Sequence, residues 1–168
     1  MRSRPRRIPL MALLLTLASC ATYGPTDQAL DYMSLYYAAE GGNQYMVEAL
    51  LERGAPTEPV EPASAGMVSA VANGFSPALH PAAERGDVQM VRLLLEHGAR
   101  PDSRCCDSDT ALGFAAAEGH IEVVRLLLEA GADPSIRSHR GTPLELAQRA
   151  GHQDVVTLVE SATPIHTK

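Results

Sequence analysis

The chain has no tryptophan and two phenylalanines among 168 residues. Aromatic packing of the kind that fills a β-sandwich is therefore excluded, and the core must be aliphatic, built on the abundant Ala and Leu that suit closely packed helices. Cysteine is scarce too: three residues, Cys20, Cys105 and Cys106, and no Cys-x-x-Cys spacing. That removes dithiol-oxidoreductase and zinc-ribbon readings. Motifs that carry catalysis are missing as well: no Gly-x-Ser-x-Gly, no phosphate-cradling glycine loop and no His-Glu-x-x-His. The longest leading apolar run, Ile8 to Ala18, is 11 residues, against the roughly 20 that a membrane-crossing helix needs.

Basic residues are in short supply outside the first stretch. Residues 1–19 hold Arg2, Arg4, Arg6 and Arg7 and no acid, which leaves ten basic against twenty acidic residues, a net of −10, for the remainder. Such a body repels phosphate backbones, so nucleic acid is excluded as a partner and a basic protein surface is favoured. At this length a single domain with a substantial core is expected.

The N-terminal stretch has the layout of an export signal: positive flank, short apolar run, then small residues. Leu17-Ala18-Ser19-Cys20 resembles a bacterial lipobox. The resemblance implies a signal peptide over 1–19 and diacylglyceryl attachment at the Cys20 thiol. Cleavage before it and acylation of the new amine would follow, giving a palmitate-type anchor. Ala21 in place of the Asp that favours inner-membrane retention points to the outer membrane, with the chain facing the periplasm. An ordinary signal peptide or an uncleaved anchor is the alternative reading. Residues 20–26 then form the lipidated Cys and a tether; its six residues Ala21–Thr26 reach about 20 Å at ~3.3 Å each.

The rest repeats. Blocks beginning at Leu35, Leu79, Leu112 and Leu144 share an Ala-Ala or Ala-Gln pair and then a glycine, and the first three close with a leucine-rich run before Gly-Ala; the block starts step by 44, 33 and 32. Thr110 and Thr142-Pro143 sit where a helix start needs a cap and a proline at the first position. Gly42, Gly86, Gly119 and Gly151 end each first helix, and Gly54, Gly98 and Gly131 end the second. The apolar spacing of Val123, Val124, Leu126, Leu127 and Leu128 predicts an amphipathic helix. A lone helix pair cannot cover such a stripe, so consecutive pairs must stack.

A period of 33 with Thr-Pro-Leu-like helix starts, Ala-Ala, Gly-His and a Leu triplet before Gly-Ala resembles the ankyrin-repeat family. The resemblance implies an all-α ankyrin-repeat solenoid of four stacked helix pairs over 27–162. The pairs fall at about 27–56, 77–101, 110–134 and 142–162, with a tail at 163–168. Tyr32, Tyr36 and Tyr37 are expected to seal the first helix. The step of 44 leaves an insertion of 11 residues between the first two pairs. It is proline-rich and acidic at first, then carries Met67 and Phe75. Folding back on its own helices and meeting a partner are both open to it.

Members of this family bind proteins through first-helix residues and the fingertips between repeats. Carried over, the partner-binding candidates are Glu40, Glu84, Arg85, Glu118 and Arg149 on first helices, and Asp107, Asp109, His139 and Arg140 at fingertips. The surface is expected to run from acidic to basic toward the fourth repeat. The motif explains His80, His97, His120 and His152, so no zinc site is expected. Asp102, Asp107 and Asp109 lack the spacing of a calcium loop. No metal, cofactor or catalytic residue is therefore predicted, and the chain is not expected to be an enzyme. Cys105 and Cys106 have Cα atoms about 3.8 Å apart, below the usual disulfide range, so a bond between them would be strained. A redox switch and a pair of reduced loop thiols are both open.

The functional expectation is a membrane-tethered periplasmic protein-binding module, in its most concrete form an immunity or inhibitor protein against a secreted toxin. The alternatives are a redox or oxidative-stress accessory factor acting through Cys105 and Cys106, and a structural envelope lipoprotein.

Overall fold

The computed structural model describes residues 25–58, 77–105 and 108–162, without the side chains of 25–29. Among them are eight helices in four antiparallel pairs: α1 (Pro25–Glu40) with α2 (Gln44–Glu52), α3 (Leu79–Glu84) with α4 (Val88–Glu96), α5 (Ala111–Glu118) with α6 (Ile121–Glu129), and α7 (Pro143–Ala150) with α8 (Gln153–Ala162). First helices pack on first helices and second helices on second. The result is the all-α stack of four helix pairs that the repeat pattern requires. Cys20, Met67, Phe75, Cys106, Asp107 and the 163–168 tail lie outside the described residues.

The second helices show why these residues fold so. Asp87 caps α4 by accepting a hydrogen bond from the Met90 N–H at 3.0 Å, and the helix buries Met90, Val91 and Leu94, one face at i, i+1 and i+4. The equivalent residues are Val123, Val124 and Leu127 on α6, and Val155, Val156 and Val159 on α8. All belong to one continuous core with the alanines of the first helices, while Leu93, Leu95, Leu126 and Leu128 pack against it partly buried. Each buried Leu contributes roughly 1.5–3 kcal/mol. Leu94→Ala would open a cavity between pairs and cost about 2–5 kcal/mol. Small first-helix residues, Ala82, Ala83, Ala115 and Ala116, are fully buried, which lets neighbouring backbones approach.

First helices start and stop where their caps dictate. Thr142 and Glu145 form a reciprocal capping box, each side chain accepting the other's backbone N–H at 3.2 Å, with Pro143 in the first turn. Thr110 caps α5 through the Gly113 N–H at 3.2 Å. Gly119 closes α5 in the left-handed region, its N–H donating to Ala115 O.

Three sets of polar bonds tie neighbouring pairs together. On the loop side, the Glu58 carboxylate accepts the Arg100 N–H at 3.1 Å and the Ser103 hydroxyl at 2.6 Å. One pair further, Asp102 accepts the Asp133 N–H at 2.8 Å. At the opposite corner, Arg85 donates to Glu40 O at 2.6 Å, His120 Nε2 to Glu84 O at 2.9 Å and His152 Nε2 to Ala117 O at 3.1 Å. In the middle, buried His80 lies with Nδ1 3.2 Å from Pro77 O and Nε2 3.1 Å from Asp109 O. The first helix carries its own lock, Asp31 with Arg53 at 3.2 Å. Tyr32 beside them is buried, and burial first, then the Glu58 and Tyr36 groups, push its phenol well above the ordinary value.

Candidate protein-binding face

The expected contact residues stand on the first helices and on the fingers between repeats. Glu40, Glu84, Arg85, Glu118 and Arg149 are all solvent-facing, each at or just beyond the C-terminal end of its first helix. Arg85 also links repeats, because its guanidinium reaches across to the preceding pair and stitches it to Glu40 O. Arg149 likewise donates to Arg140 O at 3.1 Å, so first helix and finger of the fourth repeat are joined.

The third finger is closed at its base. The backbone bridges Arg104 to Thr110, the Cys105 N–H donates to Asp109 O at 3.1 Å, and the Ser108 N–H donates back to Cys105 O at 2.9 Å. The fourth finger closes similarly, with Ser138 N–H to Gly141 O at 3.0 Å. His139 and Arg140 stand exposed at its tip.

Asp109 departs from the expectation of an exposed fingertip acid. It is only 2 % exposed, because the turn folds its side chain inward beside Gly113. Oδ2 pairs with Arg140 Nε at 2.8 Å, and Oδ1 has no hydrogen-bond partner among the described residues. The Arg140 guanidinium also lies 5.2 Å over the Phe114 ring, whose edge meets His80 at 5.6 Å. Asp109 therefore positions Arg140 instead of meeting a partner. Cation–π contact and carboxylate together fix where that arginine points.

Two further residues complete this end and carry no signal in the sequence that singles them out. Arg137 donates to Glu145 at 2.7 Å, and with Arg140 and Arg149 it makes a group of three arginines around the fourth finger. The Arg137 hydrogen bond, then the Thr142 N–H, hold the Glu145 carboxyl below its usual range. Composition does not mark Arg137, since the pairing is made by a hairpin-like finger that brings residues eight apart together. Phe114 occupies a position held by Tyr37, Pro81 and Leu146 in the other repeats, and only its ring beneath a guanidinium distinguishes it.

The arrangement offers an acidic run, Glu40, Glu84 and Glu118, interrupted by Arg85, leading to an arginine-rich end where Arg137 and Arg140 are ion-paired with Glu145 and Asp109. An open notch of about 330 Å³ between the third and fourth corners is lined by Ile121, His152, Asp154 and neighbouring glycines. It pairs no nucleophile with a base. Among the described residues no three His, Cys, Asp or Glu side chains gather as a metal site, and no helix is long and apolar enough to cross a membrane. The acids Asp102 and Asp109 are engaged in the contacts above.

Comparison with known proteins agrees with this geometry. The family profile described as ankyrin repeats (3 copies) matches residues 35–138 and, overlapping them, 79–167. No curated protein matches the chain. With the profile spanning most of its length and four stacked helix pairs beneath it, the chain belongs to the ankyrin-repeat family.

Proposed function

We propose that this chain binds a partner protein along the face formed by its first helices and fingers, while tethered to a bacterial membrane through lipid on Cys20. Ankyrin repeats are in general protein-interaction modules, and the observation that carries the reading is the charge gradient on a stiff frame. Glu40, Glu84 and Glu118 lead to Arg137, Arg140 and Arg149, with Arg140 held by Asp109 and Phe114. A partner with the opposite gradient would be steered into one register, and pre-positioned side chains lose little entropy on docking.

Lipobox-like residues ahead of the tether, and the net acidity of the rest, support a periplasm-facing envelope protein. An inhibitor that occludes a secreted toxin is the concrete form of that reading. Its test is capture from envelope extract by the wild-type chain beside Glu84→Lys and Arg149→Glu. One stoichiometric protein retained by the wild type, lost by both variants, and inhibited in its own activity on adding back the chain is expected. Absence of any stoichiometric partner across growth conditions sinks the reading.

A further inference from the structure

Four large hydrophobic side chains are exposed among the described residues, and all four lie on the first helix pair: Leu30 (59 %), Tyr37 (56 %), Tyr45 (80 %) and Met46 (45 %). Leu30, Ser34 and Tyr37 follow one another at i, i+4 and i+7 on α1, a single stripe of the helix. Tyr45 and Met46 open α2, which packs beside it.

The repeat explains which way this patch looks. Residues equivalent to Tyr37 reach toward the preceding pair: Phe114 meets His80 edge-on at 5.6 Å, and Leu146 stands 3.6 Å from where a Cβ on Gly113 would lie. Residues equivalent to Met46 are Met90, Val123 and Val155, every one buried. Tyr37 and Met46 thus stand on the side of the stack where later pairs receive a neighbour. Tyr45 takes a place filled by Gln89, Glu122 and Asp154 in the other repeats, all three solvent-facing, and so stands at the edge of this side. The exposed acids of this pair, Glu40, Glu48 and Glu52, sit instead at positions equivalent to Glu84, Arg92 and Glu96, which remain solvent-facing in the next repeat. Among the described side chains the end face of Leu30, Ser34, Tyr37 and Met46 is therefore largely apolar, tyrosine-bearing and without charge, with Tyr45 at its edge.

Resting on the lipid anchor proposed above, we infer that this end face lies against the bilayer surface, so that the solenoid stands on its first repeat. Only five residue steps separate Cys20 from Pro25, where α1 begins; fully extended they reach about 17 Å. A tether that short keeps the first pair at the headgroups whatever the rest does. Tyrosine with its apolar ring and polar hydroxyl suits that boundary. Contiguous exposed apolar surface marks a contact, and here the lipid surface is the one that the tether holds within reach. Standing so, the chain lifts the arginine-rich fourth repeat farthest from the membrane and leaves the binding face open to the side.

The chain lacks tryptophan, so Tyr45→Trp makes a single fluorophore at the edge of this face, next to Met46, and Thr157→Trp, exposed on α8, one at the far end. Each full-length variant is produced with its own leader, purified from bacterial membranes and reconstituted on phosphatidylethanolamine–phosphatidylglycerol vesicles. The mass of its N-terminal peptide reports acylation of Cys20. Expected are a blue shift for Tyr45→Trp, quenching by brominated lipid and at least about two-fold protection from acrylamide, with Thr157→Trp unchanged. Leu30→Ser with Tyr37→Ser in the Tyr45→Trp background should reverse the shift. Acylated Tyr45→Trp chain whose indole is fully open to acrylamide overturns the end-face contact and leaves the anchor standing. Unacylated chain that still shows bromolipid quenching overturns the anchor and supports the face. Protection from acrylamide that rises with protein concentration, without bromolipid quenching, assigns the face to a second copy and overturns the proposal.

Discussion

His120 lies over Gly86. Its Nε2 donates to Glu84 O at 2.9 Å, and a Cβ on Gly86 would meet the imidazole ring at 2.6 Å. His152 repeats the arrangement over Gly119, with the same 2.6 Å approach. Gly98 has a similar backbone, φ +85 against +72 at Gly86, but open space where a Cβ would go. Alanine at Gly98 should therefore cost only the left-handed penalty, about 1–2 kcal/mol. Alanine at Gly86 should cost more, about 2–4 kcal/mol, since the clasp to the next repeat is displaced as well. Urea denaturation of the two variants compares them directly; equal losses would show that the clasp contributes nothing.

The residue after the glycine that ends a first helix, Gly42, Gly86 or Gly119, chooses between two partners. Asn43 and Asp87 cap their own helices, accepting from Met46 and Met90 N–H at 3.1 and 3.0 Å. His120 makes no cap and bonds to the preceding pair instead. His120→Ala should lose about 1 kcal/mol. His120→Asn should recover most of that through a new N-cap on α6, worth ~1 kcal/mol, while still loosening the contact with α3. Amide exchange separates the effects: α6 stays protected in the Asn variant and the end of α3 opens faster.

The stack itself is legible in the sequence because its physics repeats. Leucines at helical spacing, alanine pairs and terminal glycines recur from block to block, and each recurrence independently demands a neighbour. Contacts made once are not legible. Asp109 reads as a fingertip acid, yet beside the bridge of Arg104 to Thr110 its side chain is buried. Arg137 meets Glu145 only because the fourth finger doubles back. Tyr37, expected to seal α1, is mostly exposed, because that position faces a preceding pair and the first repeat has none among the described residues. Tyr32 does become fully buried.

Acid should weaken the fold through His80. Burial lowers its pKa below the ordinary 6.5, with the Asp109 and Pro77 carbonyls and the Glu58 and Asp109 carboxylates pulling the other way. A native state with the lower pKa binds fewer protons than the unfolded chain, so stability is full above 6.5 and falls as pH drops toward the folded value. Denaturation midpoints at pH about 7.5 and about 5.5 should differ in the wild type and converge in His80→Asn. A midpoint difference of the same size in the variant would assign the effect elsewhere.

Arg140 and Asp109 are unequal partners. The arginine side chain is 44 % exposed and the aspartate side chain 3 %. Arg140→Ala strands a buried carboxylate and should cost about 2–3 kcal/mol, somewhat under the full loss for a completely buried pair. Asp109→Asn keeps an acceptor for Arg140 and removes the buried charge, so about 1 kcal/mol or less is expected. Thermal melts of the two variants test the order. A reversal would mean that the carboxylate is stabilised by something other than Arg140.

The loop-side ties should behave as separable fasteners. Glu58 joins the first pair to the second through Arg100 N–H and the Ser103 hydroxyl, and Asp102 joins the second to the third through Asp133 N–H. Each alanine replacement removes a carboxylate acceptor from a backbone donor, a loss of about 1–2 kcal/mol. In a stack where each pair touches only its neighbours, the two ties share no hydrogen-bond partner. The double variant should then lose the sum of the single losses to within about 0.5 kcal/mol. Glu58 has one further consequence: it stands at the entrance to the insertion, so Glu58→Ala should quicken proteolysis near residue 58 and Asp102→Ala should not. Strong coupling in the double variant would mean that the stack transmits strain across a whole repeat instead of confining it to each interface.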